Sequence, residues 1–255
     1  MELEKIAIVI GEGGTGKSTL CNVLSGHVYD SSCFRVAVNY EKGTENTVIK
    51  KQLFLGDEKK PFTIIDTPGF NDPDASKDSN ANQDREIVNE LMKKLTSVDH
   101  INLFVICINE QNISRMHESL RYMLNYFKDI FGVKMERGAI ITDINVFWER
   151  CFIVITKMPL DEASVKRRLK ATKNVPSQEH FEKVIAHLKS KVLEPDNRLK
   201  ISNFAFIDAH RDVESTSENE TYMKECQKLY HQLCQKSPAR TRAMQIAHSH
   251  SAISK

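Results

Sequence analysis

Hydrophobic and polar positions along the chain follow two alternating patterns. Short apolar runs at residues 6–10, 34–38, 48–55, 62–66, 101–108, 151–156 and 204–208 predict β-strands. Four of them, at 6–10, 101–108, 151–156 and 204–208, are almost unbroken, as suits strands covered on both faces of a sheet. Between them apolar residues return at helical spacing: Ile87, Val88, Leu91, Met92 and Leu95, then Leu120, Met123, Leu124, Phe127, Ile130 and Phe131. Phe181, Val184, Ile185 and Leu188 form a third stripe, and Tyr222, Met223, Cys226, Leu229, Tyr230 and Leu233 a fourth. The alternation predicts an α/β fold, a doubly wound and mostly parallel sheet with helices on both faces, and it assigns the stripe methionines and aromatics to the core.

Two stretches lack either period. Residues 71–84 are rich in Asp, Asn, Ser and Pro and read as a loop. Residues 236–255 are polar, with a Ser-Pro near their start, and read as a flexible tail after one domain spanning 1–235.

Composition narrows this picture a little. A chain of 255 residues can bury a core without staples. The 36 basic and 34 acidic residues leave a net charge of +2, so no nucleic-acid partner is expected. None of the six cysteines forms a C-x-x-C pair, and several lie in apolar runs such as Val105-Ile106-Cys107-Ile108, which predicts reduced, buried thiols. The first strand begins almost at once, so no signal peptide is expected, and no apolar run has the length of a membrane span. A cytoplasmic location follows as the expectation, with peripheral membrane contact left open.

Chemistry enters at Gly11-Glu12-Gly13-Gly14-Thr15-Gly16-Lys17-Ser18, between the first strand and a predicted helix. This is the G-x-x-x-x-G-K-[ST] pattern in its strand–loop–helix context. Its glycines let backbone N–H groups turn inward around phosphates, and the helix N-terminus adds positive potential. Lys17 reaches the β- and γ-phosphates, Ser18 offers a hydroxyl to Mg²⁺, and Thr19 completes the predicted nucleotide-binding set.

A second motif, Asp66-Thr67-Pro68-Gly69, ends the hydrophobic strand at 62–66. An Asp at the carboxyl end of such a strand is placed to hold Mg²⁺, and Gly69 can bring its backbone N–H to the γ-phosphate. Asp, Pro and Gly also favour ordinary turns, which is the alternative for this segment alone. A triphosphate sensor further needs a residue that reaches the metal only when the γ-phosphate is present. Thr44 and Thr47 are the candidates, Thr44 preferred; the segment around it and residues 71–84 would be the two switches. Lys17, Thr44 and Gly69 are the expected catalytic set, and Ser18, Thr44 and Asp66 the expected metal ligands.

Together these motifs resemble translation-factor-class GTPases. More narrowly, Asp66-Thr67-Pro68-Gly69-Phe70-Asn71-Asp72, the strand at 101–108, Asn109-Glu110-Gln111-Asn112-Ile113-Ser114-Arg115 and the closing Phe131-Gly132 resemble the immune-associated, GIMAP or AIG-type GTPases, over roughly residues 5–212. The resemblance implies a guanine-nucleotide switch that uses GTP/GDP and Mg²⁺ and self-associates when GTP-loaded, as a homodimer or larger assembly. It also places base recognition at Thr156-Lys157, where Pro159 stands in the usual aspartate position and Asp161 is the shifted carboxylate. The loop at Phe206-Ile207-Asp208-Ala209-His210 is positional at best. No Gln follows Gly69 to orient water, which implies slow turnover, with Arg115 or His117 as donors to a second copy. The basic run Lys166, Arg167, Arg168, Lys170 and Lys173 reads first as a solvated helix face. An ATPase or small-molecule kinase using the same loop, and a GTP-gated scaffold without hydrolysis, are the competing functions.

Overall fold

The computed structural model describes residues 4–28, 31–36, 44, 46–70, 77–110, 113, 118–136, 139–157, 178–191, 199–207 and 216–237. In chain order the elements are β1 (Ile6–Ile10), α1 (Lys17–Leu24), β2 (Val48–Leu53), β3 (Pro61–Asp66), α2 (Lys77–Leu95), β4 (Leu103–Asn109) and α3 (Glu118–Phe131). They continue with β5 (Val133–Glu136), β6 (Ala139–Thr142), α4 (Ile144–Trp148), β7 (Cys151–Thr156), α5 (Gln178–Lys191), β8 (Phe204–Ile207) and α6 (Thr216–Gln235).

Six strands form one sheet in the order β2-β3-β1-β4-β7-β8, while β5 and β6 make a separate hairpin. All neighbours in the large sheet are parallel except β2, which runs antiparallel to β3 with Val48 opposite Asp66 and Leu53 opposite Pro61. The unbroken apolar strands behave as the two-sided burial requires. Along β1, Ile6, Ile8 and Ile10 enter a core shared with α2, α3 and α5, and Ala7 and Val9 enter the opposite core with α1 and α6. Phe104 on β4 centres the first core, its ring 4.9 Å from Phe131, 5.0 Å from Phe147 and 5.9 Å from Phe127.

Several expectations change. Residues 77–84 are the first half of α2, so only 71–76 of the expected loop lie outside the described residues. Helix formation propagates cheaply from an apolar stripe already docked on the sheet, and after Pro73 no Pro or Gly interrupts it. Val48 enters a strand as expected, but that strand stops at Leu53 in a tight 3₁₀ turn, Phe54–Gly56, where Leu55 has a φ of 52°. Phe34, Arg35 and Val36 are in no strand, and residues 37–38 lie outside the described ones. Phe34 is instead buried beneath α1. Met223 faces solvent at 39% exposure, because α6 meets the sheet through Tyr222, Cys226, Leu229 and Leu233. The β5–β6 hairpin and α4 have no counterpart in the predicted strands and helices.

The expected tail begins as an anchored segment. Asn102 donates to the Lys236 carbonyl (3.1 Å) and Arg150 donates through Nε to the Ser237 carbonyl (2.9 Å), while residues 238–255 lie outside the described ones. On the far edge of the sheet the Phe206 N–H donates to Glu225 of α6 at 3.1 Å, which occupies an amide that an edge strand would otherwise expose.

Candidate nucleotide-binding site

Because β1, β3, β4 and β7 are parallel, Ile10, Asp66, Asn109 and Thr156 all end on one rim of the sheet. The loop from Gly11 to Ser18 lies on that rim. Gly16 is the N-cap residue of α1 with φ +86°, a left-handed conformation that an L side chain rarely adopts. No side chain caps α1, so its first-turn N–H groups remain for an anion.

Within the loop, Lys17 is 6% exposed and its Nζ donates to the Glu12 carbonyl at 2.9 Å. Burial pulls its pKa down, and the nearby Asp66 carboxylate works against that. Thr15 Oγ1 donates to the same carbonyl at 2.9 Å, which closes the turn. Thr156 ties the loop to β7: its Oγ1 lies 2.5 Å from the Thr15 carbonyl and 3.3 Å from that of Ile108. The Thr156 hydroxyl therefore braces the phosphate loop. Lys157 is exposed with a φ of 57°, and Asp161 lies outside the described residues.

Asp66 is fully buried; neither carboxylate oxygen meets strict hydrogen-bond geometry with the protein, although Ser18, Cys21 and the Thr67 N–H lie close enough to favour its charged form. Burial raises its pKa, with Ser18 and Lys17 opposing. Ser18 Oγ and Thr44 Oγ1 are 2.8 Å apart. A buried carboxylate whose hydrogen bonding is incomplete, beside the Ser18 hydroxyl that Thr44 meets, is a set of hard oxygen donors that fits Mg²⁺. Thr47 is placed differently: it is buried just before β2, and its hydroxyl has no hydrogen-bond partner.

The Asp66–Gly69 segment is laced to the phosphate loop. Thr67 Oγ1 donates to the Val9 carbonyl (2.8 Å), the Gly13 N–H donates to the Phe70 carbonyl (2.7 Å) and the Phe70 N–H to the Gly11 carbonyl (3.3 Å). Gly69 touches Gly13 so closely that an added Cβ would lie 2.6 Å from the Gly13 Cα and 3.3 Å from Lys17 Nζ. Phe70 is fully buried.

Asn22 escaped the motif reading. It is fully buried on α1, donates through Nδ2 to the carbonyls of Ser31 (2.9 Å) and Phe34 (2.8 Å), and accepts from the Phe34 N–H at 2.8 Å. The signal was a lone Asn among Leu20, Cys21, Val23 and Leu24, one helical turn after Ser18. These bonds hold the start of the segment that leads to Thr44. Asn22→Leu strands three backbone groups, so it should lower unfolding stability by about 2–4 kcal/mol in denaturant titration. A change below about 0.5 kcal/mol would show that water replaces these bonds.

A glycine-rich phosphate loop on the carboxyl rim of a mostly parallel sheet, with a buried aspartate on the neighbouring strand, defines a P-loop nucleotide-binding domain. Residues 6–135 match the family model described as 50S ribosome-binding GTPase, and the chain belongs to that family of GTPases. The match ends before β7, so Thr156 and Lys157 lie beyond it.

Similar solved structures include Toc33 from Arabidopsis thaliana in complex with GDP and Mg²⁺, 15% identical with a TM-score of 0.53 over 93% of this chain and 88% of that one. A dimerization-deficient mutant of Toc33 gives 15% and 0.55 over the same shares. A probable GTP-binding protein engB gives 16% and 0.50 over 91% of this chain and 99% of that one. At these identities the likeness is one of fold. No curated protein matches the sequence.

Proposed function

We propose that this chain is a guanine-nucleotide switch of the AIG type that hydrolyses GTP slowly and self-associates when GTP-loaded. The observation that carries the reading is the Ser18–Thr44 hydroxyl pair, 2.8 Å apart, with Ser18 beside the buried carboxylate of Asp66. That pair joins the phosphate loop to one of the two segments whose position would depend on the γ-phosphate. The phosphates lie on the loop amides and the first turn of α1, with Lys17 across the β- and γ-positions. Ser18, Thr44 and Asp66 would hold Mg²⁺, which would supply neutralisation of charge on the phosphate oxygens. Gly69, packed against Gly13 and close to Lys17 Nζ, would present its N–H to the γ-phosphate.

Slow turnover is inferred from Phe70. The residue after Gly69 is a buried aromatic, so no polar side chain there orients a water. Assistance from a second copy is consistent with this. For chloroplast translocon components of the same fold, atToc33 and psToc159, dimerization is important for GTPase activity (TM-score 0.51). Arg115 and His117, the candidate donors, lie outside the described residues, as do Asp161 and the basic run at 166–173. Membership of a GTPase family favours guanine over adenine. Among the described residues no helix is long and apolar enough to cross a membrane, and a cytoplasmic site of action is part of the proposal.

Gel filtration with a non-hydrolysable GTP analogue should give a larger species than with GDP, and GTP, not ATP, should displace a bound fluorescent guanine nucleotide. Equal sizes in the two states would refute self-association. Displacement by ATP would point to the ATPase or kinase reading, and an absence of single-turnover phosphate release would point to a GTP-gated scaffold.

A further inference from the structure

Lys94 belongs to none of the motifs above. It lies in the last turn of α2, and its Nζ donates to the backbone carbonyl of Thr47 at 2.5 Å. The same ammonium is also ion-paired to Glu90, one helical turn earlier, at 2.9 Å. The Lys94 and Glu90 side chains are only 37% and 31% exposed, and the contact is partly shielded from water.

The position of this bond gives it a role. Thr44, three residues before Thr47, lies against Ser18 in the metal set, and Val48, one residue after Thr47, pairs with Asp66. The chain from 44 to 48 thus runs from one metal ligand to the strand partner of another. The carbonyl that Lys94 grips lies inside that span. Thr47 is 3% exposed and its hydroxyl has no hydrogen-bond partner, so the ammonium on its carbonyl is the side-chain hold the structure records there. Lys94 therefore ties the span between Thr44 and Val48 to the last turn of α2.

We propose that Lys94 is a positioning residue that couples the Thr44 segment to α2, so that γ-phosphate occupancy and the placement of α2 are read together. This rests on the guanine-nucleotide reading above. A coupling of this kind is reciprocal: what orders the Thr44 segment also favours one position of α2, and loosening α2 weakens the triphosphate state. The diphosphate state, which does not call on Thr44, is indifferent to it.

The test compares Lys94→Met with wild type in titrations of a non-hydrolysable GTP analogue with Mg²⁺ and of GDP. The analogue should bind about tenfold more weakly, from loss of a charge-assisted hydrogen bond, with GDP affinity unchanged. Lys94→Arg, which keeps the donor and the charge, should recover most of the loss. Adding Lys94→Met to Thr44→Ala should weaken analogue binding no further, because the segment has already lost its metal contact. Amide exchange in α2 should slow on analogue binding in wild type and not in Lys94→Met. Lys94→Gln, polar on a partly exposed helix face, takes the place of the methionine variant if that one fails to fold. Equal losses for analogue and GDP, or no loss in either, would overturn the proposal and leave the nucleotide reading standing. A wild type that binds no guanine nucleotide would overturn that reading, and this inference with it.

Discussion

Replacing Lys17 with Met should reduce triphosphate affinity by on the order of a thousandfold and leave the protein folded. A unit charge about 4 Å from a phosphate oxygen contributes about 4 kcal/mol at the effective dielectric of a partly buried site. The methionine keeps the packed stem of a side chain that is 6% exposed, and the Glu12 carbonyl that loses the ammonium still accepts from Thr15 Oγ1 at 2.9 Å. Burial already disfavours the charged form of Lys17, so its removal costs the empty protein little. The remaining consequence falls on Asp66. Lys17 holds down a pKa that burial raises, so the carboxylate of the variant becomes easier to protonate and a weaker metal ligand. Nucleotide titration with and without Mg²⁺, beside a thermal melt, checks both parts. Unchanged affinity would mean that the loop does not cradle phosphate.

Gly69→Ala should act on the γ-phosphate. Its new Cβ would lie 2.6 Å from the Cα and 2.9 Å from the N of Gly13, backbone atoms that cannot rotate away, so one segment must move. The first bond strained is Gly13 N–H to the Phe70 carbonyl, now 2.7 Å. Overpacking of this kind costs about 1–3 kcal/mol of stability. The catalytic loss should be larger. A displaced Gly69 N–H no longer meets charge developing on the transferred phosphoryl group, and loss of one such donor lowers turnover about 100- to 1,000-fold. GDP affinity should hardly change, because the diphosphate does not reach Gly69. Single-turnover hydrolysis and paired GTP-analogue and GDP titrations separate these effects. Equal loss of both nucleotides would mean that the substitution had distorted the phosphate loop itself.

Much of this was legible in the residues alone. β1, β4, β7 and β8 are unbroken apolar runs, and burial on both faces of a sheet permits little else there. The phosphate loop was legible because its chemistry is local: a left-handed glycine, a lysine and a hydroxyl serve one turn of backbone. The hairpin β5–β6 was not legible, since strands of four residues carry too few alternations to stand out. The first half of α2 was missed for a different reason: its polar residues have no periodicity, and its helicity depends on the docked half.

The division between what sequence and tertiary structure decide follows the range of the forces involved. By itself, the sequence determined the α/β class, the phosphate loop and the aspartate at the end of β3, because each depends on neighbours a few residues away. Packing decided which of Thr44 and Thr47 meets Ser18, that Asn22 clamps the segment leading to Thr44, that Thr156 braces Thr15 across 141 residues, and that Lys94 grips Thr47. Each of those is a side-chain hydrogen bond that depends on tertiary packing, from the 9–12 residues between Asn22 and its partners to the 141 between Thr156 and Thr15. A hydroxyl or an ammonium looks the same in sequence whether it meets solvent or a distant carbonyl.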